Sequence, residues 1–218
     1  MNSHRHSLSR GSVFSYLLVT LLVTSALILT SCSGSSDGDR GGSSSQPAFA
    51  VNPDYLGEPY SNEELGITFQ PPRDWLVLDA ETRTRVMEAI RGESGIDAAE
   101  LIDVFFSTET ISFAVLQRAL GENGQPISVA DYDVLLGEAL EPGDDPARVT
   151  ASERSEFEVN DLDVIHYRHI VADRVGASLR FSGADGMAVV LQYSIPDSAI
   201  DTELPKVESS IGTLRRLR

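Results

Sequence analysis

From Val13 to Leu29 the chain is apolar except at Ser15, Thr20, Thr24 and Ser25, and from Ser33 to Gln46 it carries no apolar side chain at all. The first stretch is an apolar core without periodicity. The second cannot bury surface to offset its ordering entropy and reads as a flexible tether. Beyond Ala48 two periods alternate. Gly66 to Gln70 alternates apolar and polar positions, as a half-buried strand does, and Pro71-Pro72 ends it before a second short strand, Trp75 to Leu78. Asp79 is placed to cap a helix over Ala80 to Arg91, closed by Gly92. Asp97 to Phe106 is ambiguous, because Ala98, Leu101, Ile102 and Phe105 suit a helix whereas Val104 to Phe106 suit a strand; the segment is split between the two.

Ile111 to Leu116 is apolar on both pleat faces, as an inner strand would be with helices on both sides. Ser128 and Asp131 resemble a capping box ahead of a helix to Leu140, with Val129, Tyr132, Leu135, Leu136 and Ala139 on one face. Strands dominate the region that follows. Arg148 to Val159 and Leu162 to Ala172 flank an Asn160-Asp161 turn; Ala177 to Ser182 and Met187 to Ile195 flank Gly183 to Gly186. Ala177, Leu179 and Phe181 share a face in one arm, and Met187, Val189, Leu191, Tyr193 and Ile195 do so in the other. A last helix beginning at Asp201 or Thr202 points Leu204, Val207 and Ile211 inward, with Pro205 in its first turn. The order, in which the first two strands pair and a helix, a strand, a helix, four antiparallel strands and a closing helix follow, implies an α+β domain packed on a mainly antiparallel central sheet.

Charge refines the reading of the leader. Arg5 and Arg10 precede the apolar core and no acid occurs before Cys32, which is the pattern of an export signal; a spanning helix wants about 20 apolar residues and fewer hydroxyls. Leu29-Thr30-Ser31-Cys32 is similar to the lipobox of bacterial lipoproteins, a resemblance that implies cleavage before Cys32 and acylation of its sulfur. Cys32 is also the chain's one cysteine, so no intramolecular disulfide competes for it. The implied organisation is a signal peptide at 1–31, a lipidated cysteine and Ser/Gly linker at 32–47, and a single domain at 48–218. Ser33 after the cysteine points to the outer membrane, on its periplasmic face.

The whole chain has 17 basic and 33 acidic residues, a net charge of −16; loss of Arg5 and Arg10 makes it −18. Such a surface repels phosphate backbones, so nucleic acid is not an expected partner. The expected contacts are the membrane, through lipid on Cys32, and a further protein of the envelope.

Glu64 to Trp75 (ELGITFQPPRDW) resembles the opening of PsbP-like domains, and Ile195 to Leu214, ending Ser-Ile-Gly-Thr-Leu, is similar to their close. The resemblance implies an α/β/α sandwich around a central, mainly antiparallel sheet, used for protein binding or assembly, with no shared catalytic residues.

Candidate chemistry is sparse, and no catalytic, cofactor or metal residue is assigned. His166 and His169 stand three apart, so on a strand they face opposite sides and cannot meet one metal. Glu141, Asp144 and Asp145 lack the spacing of an EF-hand and read as a solvated acidic turn. Arg168 and Arg180 are candidates for a cationic sheet face that receives a carboxylate. Trp75 reads as core. Three functions stay open: a non-enzymatic binding or assembly module, an envelope-polymer hydrolase using paired carboxylates, and a carrier of a small ligand or lipid.

Overall fold

The computed structural model describes residues 49–85, 99–121, 123–139, 149–171 and 173–217. The expected export signal, Cys32 and the expected linker to residue 47 lie outside the described residues, as do residues 86–91 of the expected helix and the turn expected at 141–146. The domain is α+β, with helices packed on antiparallel sheets.

A 3-10 turn at Pro53–Tyr55 leads into β1 (Tyr60–Asn62) and β2 (Ile67–Phe69). β3 (Leu76–Val77), β4 (Ala99–Phe106) and β5 (Phe113–Ala119) follow, then helix α1 (Val129–Ala139). β6 (Val149–Val159), β7 (Leu162–Val171), β8 (Arg174–Ser182) and β9 (Ala188–Pro196) run on to helix α2 (Ile200–Gly212) and β10 (Arg215–Arg216). One sheet has the order β1-β2-β10. The other has the order β3-β4-β5-β9-β8-β7-β6, and every neighbouring pair is antiparallel. β6 stands at one margin of the larger sheet, its sequence carrying Glu153, Arg154, Glu156 and Glu158.

The core forms where the smaller sheet and α2 close over one face of the larger sheet. Leu179, Phe181, Val189, Leu191, Tyr193 and Ile195 come from the larger sheet, Ile67 and Phe69 from the smaller, and Val207 and Ile211 from α2. The faces expected for β8, β9 and α2 therefore meet each other. Trp75 is 6% exposed within this core. On the opposite face α1 packs Val129, Tyr132 and Leu135 against Ala119, Ala188 and Val190; the side chains of Leu136 and Ala139 lie outside the described set. Both N-caps form: Asp79 Oδ1 accepts from Thr82 N at 2.9 Å, and Ser128 Oγ accepts from Asp131 N at 3.1 Å.

Four expectations need correction. Gly66–Gln70 and Trp75–Leu78 do not pair; β2 and β3 belong to different sheets, because Pro71-Pro72 and a turn with Asp74 at φ 70° carry the chain from one to the other. The described part of 97–106 is one strand, 99–106. Its register shifts between Leu101 and Asp103, and such a bulge breaks the alternation and mimics a helical spacing. β5 begins at Phe113 rather than Ile111, which sits in a turn at φ 56°. α2 begins at Ile200, fed by a 3-10 turn at Asp197–Ala199, so Pro205 falls inside the helix beyond its first turn. There it leaves the Asp201 carbonyl without its helical donor.

Candidate functional site

Arg180 projects from β8 on the α1 side of the sheet and is 5% exposed. Its guanidinium lies 3.9 Å from the ring centre of Tyr167 and 5.3 Å from that of Tyr132. It donates to Asp133, the residue after Tyr132 on α1. Arg154, on β6, donates to the same carboxylate at 3.3 Å and to the Tyr167 hydroxyl at 3.1 Å. Burial pushes the Tyr132 phenol up, against the pull of Arg180. Arg168 is not part of this cluster. It pairs with Ala177 in the ladder, whereas Arg180 pairs with Ile165, so the two arginines stand on opposite faces. The carboxylate that this face receives is therefore the protein's own Asp133, which no pattern in α1 distinguished from a solvated acid.

The two histidines of β7 also part company. His166 Nδ1 lies 3.2 Å from Ser155 Oγ, with its ring 5.9 Å from that of Phe157. His169 covers Gly176, where a Cβ would fall 2.1 Å from its Nε2. Burial lowers the pKa of both imidazoles. A Ser–His contact needs a third group to orient the base before it becomes a nucleophile system; among the described residues no carboxylate hydrogen-bonds this ring. Nor, among them, is any group of three or more His, Cys, Asp and Glu placed to hold a metal.

Other charged clusters are closed in the same way. Asp103, 8% exposed, accepts from both Tyr60 and Arg83 and so joins the smaller sheet to the helical turn at 80–85. Burial, then the Asp103 hydrogen bond, pushes the Tyr60 phenol well above its usual range. Glu203, 2% exposed, accepts from Trp75 Nε1 at 2.9 Å and from Lys206 at 2.8 Å. Arg118 gathers Glu64, Glu100 and Asp185 at 2.9, 3.3 and 3.6 Å.

A cleft of about 210 Å³ at the outer side of β2 and β10 is different. Thr68 stands opposite Arg215 in the ladder, so both face the cleft, and Gln70, Asn160 and Thr213 complete its polar wall. Asn160 is positioned by its turn. It and Asp161 have φ 45° and 68°, a type I′ pair. Its Nδ2 donates to Gly212 and Leu214 carbonyls at 2.9 and 3.0 Å, capping the end of α2. Thr213 Oγ1 accepts from Gln70 N at 2.8 Å. Arg215 is exposed, and no described group pairs with it. Sequence reading missed this site, since a two-residue strand carries no period; the Asn-Asp turn was its one visible signal.

No family model matches the chain, and no curated protein matches it. A crystal structure from Bacteroides thetaiotaomicron VPI-5482 is similar to it at 10% sequence identity, over 75% of this chain and 49% of that one, with a TM-score of 0.39. The chain thus spans about half the length of that protein, and a likeness at this level carries no argument.

Proposed function

We propose that the protein is an envelope lipoprotein, held through acyl chains on Cys32 at the periplasmic face of the outer membrane, whose domain is a non-enzymatic binding or assembly module. The observation that carries the binding reading is the contrast between clusters. Asp103, Asp133 and Glu203 are each engaged by the protein's own cations or donors, whereas Arg215 stands open beside a polar cleft. A group already neutralised internally is poorly placed to act as acid, base or nucleophile; the Arg215 guanidinium, exposed beside the cleft, is free to bind.

A PsbP-like sandwich is the finer fold reading we favour. The two segments that resemble that family are in contact here. Ser210 Oγ donates to the Gln70 carbonyl at 2.6 Å, and Trp75 Nε1 donates to Glu203 at 2.9 Å.

Two measurements test the proposal. Cys32→Ser abolishes incorporation of radiolabelled palmitate and slows leader removal; unchanged labelling refutes attachment at this sulfur. Affinity capture from solubilised envelopes with the wild-type chain returns an envelope protein; recovery of none under several conditions refutes the binding-module reading.

A further inference from the structure

We propose that the Arg215 cleft docks the phosphodiester headgroup of an anionic phospholipid, so that the tethered domain seats one defined face on its own membrane. This rests on the lipoprotein reading above and adds an orientation to it.

The cleft lies where the tether enters the domain. Phe49 stacks on Phe157 at 5.0 Å between ring centres, and the chain then runs along the last turns of α2, Ser209 Oγ donating to the Ala50 carbonyl at 3.2 Å and accepting from Asn52 N at 3.1 Å. The approach to Gly212, which lines the cleft, is so close that a Cβ there would meet the Phe49 carbonyl oxygen at 2.9 Å. A Ser/Gly tether of about 16 residues has a root-mean-square reach of roughly 20–24 Å. The root of the domain, and with it the cleft, is the part held nearest the headgroups.

Chemistry then selects the occupant. A volume of 210 Å³ is the liquid share of about seven waters, enough for a phosphate with part of its glycerol. The charged lining group is a guanidinium, whose forked donors match phosphate oxygens; the hydroxyls of Thr68 and Thr213 and the amide nitrogens of Gln70 and Asn160 donate within the protein, which leaves the two amide oxygens to accept from a glycerol hydroxyl. The net charge, −16 for the whole chain and −18 without Arg5 and Arg10, would repel a free chain from an anionic bilayer. A covalently held chain cannot leave and instead turns, its acidic surface outward and Arg215 inward. Intramolecular reach makes a weak site sufficient, and one basic residue at an anionic surface shifts such an equilibrium roughly fivefold.

The test uses the full acylated chain reconstituted in vesicles, with a photo-crosslinking amino acid at Pro59 on the cleft rim or, as control, at Val134 on the exposed side of α1. Lipid adducts at position 59 are expected to be about fivefold more abundant in phosphatidylglycerol vesicles than in phosphatidylcholine vesicles. Arg215→Gln removes that excess, and position 134 shows none. Adducts indifferent to headgroup charge, or unchanged in Arg215→Gln, overturn the proposal. Millimolar glycerol phosphate that blocks adducts equally in both vesicle types assigns the cleft to free phosphate and overturns the lipid source. Mass spectrometry of Cys32 on the same samples separates the two readings. With the sulfur bare the anchor fails, and the chain coupled through the Cys32 thiol to a maleimide lipid in the same vesicles still decides the cleft; adducts at position 59 indifferent to headgroup charge overturn it.

Discussion

Asp133 on α1 and Arg180 on β8 meet across the face of the larger sheet, their side chains 18% and 6% exposed. The pair fixes the helix to the sheet through charge and, with Tyr132 and Tyr167 about the guanidinium, through stacking. Removing one member leaves the other buried and uncompensated. Asp133→Ala is expected to cost about 3–5 kcal/mol in urea unfolding. The double change Asp133→Leu with Arg180→Met should cost less than the single one, since no unpaired charge remains. The opposite order would mean that the pair contributes net binding energy of its own.

Trp75 Nε1 reaches Glu203 on α2, tying the segment before β3 to the last helix. Trp75→Phe keeps much of the apolar volume but leaves a buried carboxylate oxygen short of a donor. The expected loss is about 1–3 kcal/mol, read as a lower urea midpoint with an unchanged slope.

Ile111 is a β-branched residue in the left-handed region, 43% exposed, held there as Arg174 donates to its carbonyl at 3.0 Å. That backbone costs an L-residue roughly 1–2 kcal/mol. Ile111→Asn, which keeps the carbonyl and tolerates the conformation, is expected to raise the melting temperature; a fall would show that the Ile side chain contributes more than its strain costs.

Burial lowers the pKa of His166 and His169 below the 6.5 of the free side chain. Over the interval between the folded and unfolded values the unfolded chain binds more protons, so stability rises with pH there. The domain should lose stability as pH falls from about 7 through the folded values. His166→Gln with His169→Gln should flatten that slope, read between about pH 5 and 7 to stay above the carboxylate range. A slope that survives both substitutions assigns the effect elsewhere.

His169 also sets a steric test. Gly176→Ala pushes a methyl into its ring and should cost about 1–3 kcal/mol. Adding His169→Ala should recover most of that loss in thermal unfolding; no recovery would place the constraint in the Gly176 backbone.

The periodic parts of this fold were legible from the amino-acid order. Leu179 and Phe181 alternate, Val207 and Ile211 fall one helical turn apart, and the Asn160-Asp161 turn has one favoured hairpin geometry; all four side chains and the turn lie as expected. What escaped has a physical reason in each case. Strands of two or three residues, as in β1 and β10, are too short to show a period, so the smaller sheet and the cleft it forms were invisible. The bulge at Leu101 imitated a helix. Arg168 and Arg180 were grouped because parity between strands depends on register, which neither strand encodes alone. Whether Asp103, Asp133 or Glu203 is solvated or engaged depends on what the fold brings across from another element. Cys32 and its surroundings remain a reading of sequence.

β6 ends the larger sheet with a long margin that no described strand pairs. A bare margin of that length is where copies of one chain zip into extended sheets. Here Glu153, Arg154, Glu156 and Glu158 crowd the strand, so any second backbone laid alongside would have to strip water from several charges at once. The charges of β6 therefore oppose edge-to-edge association of one copy with the next.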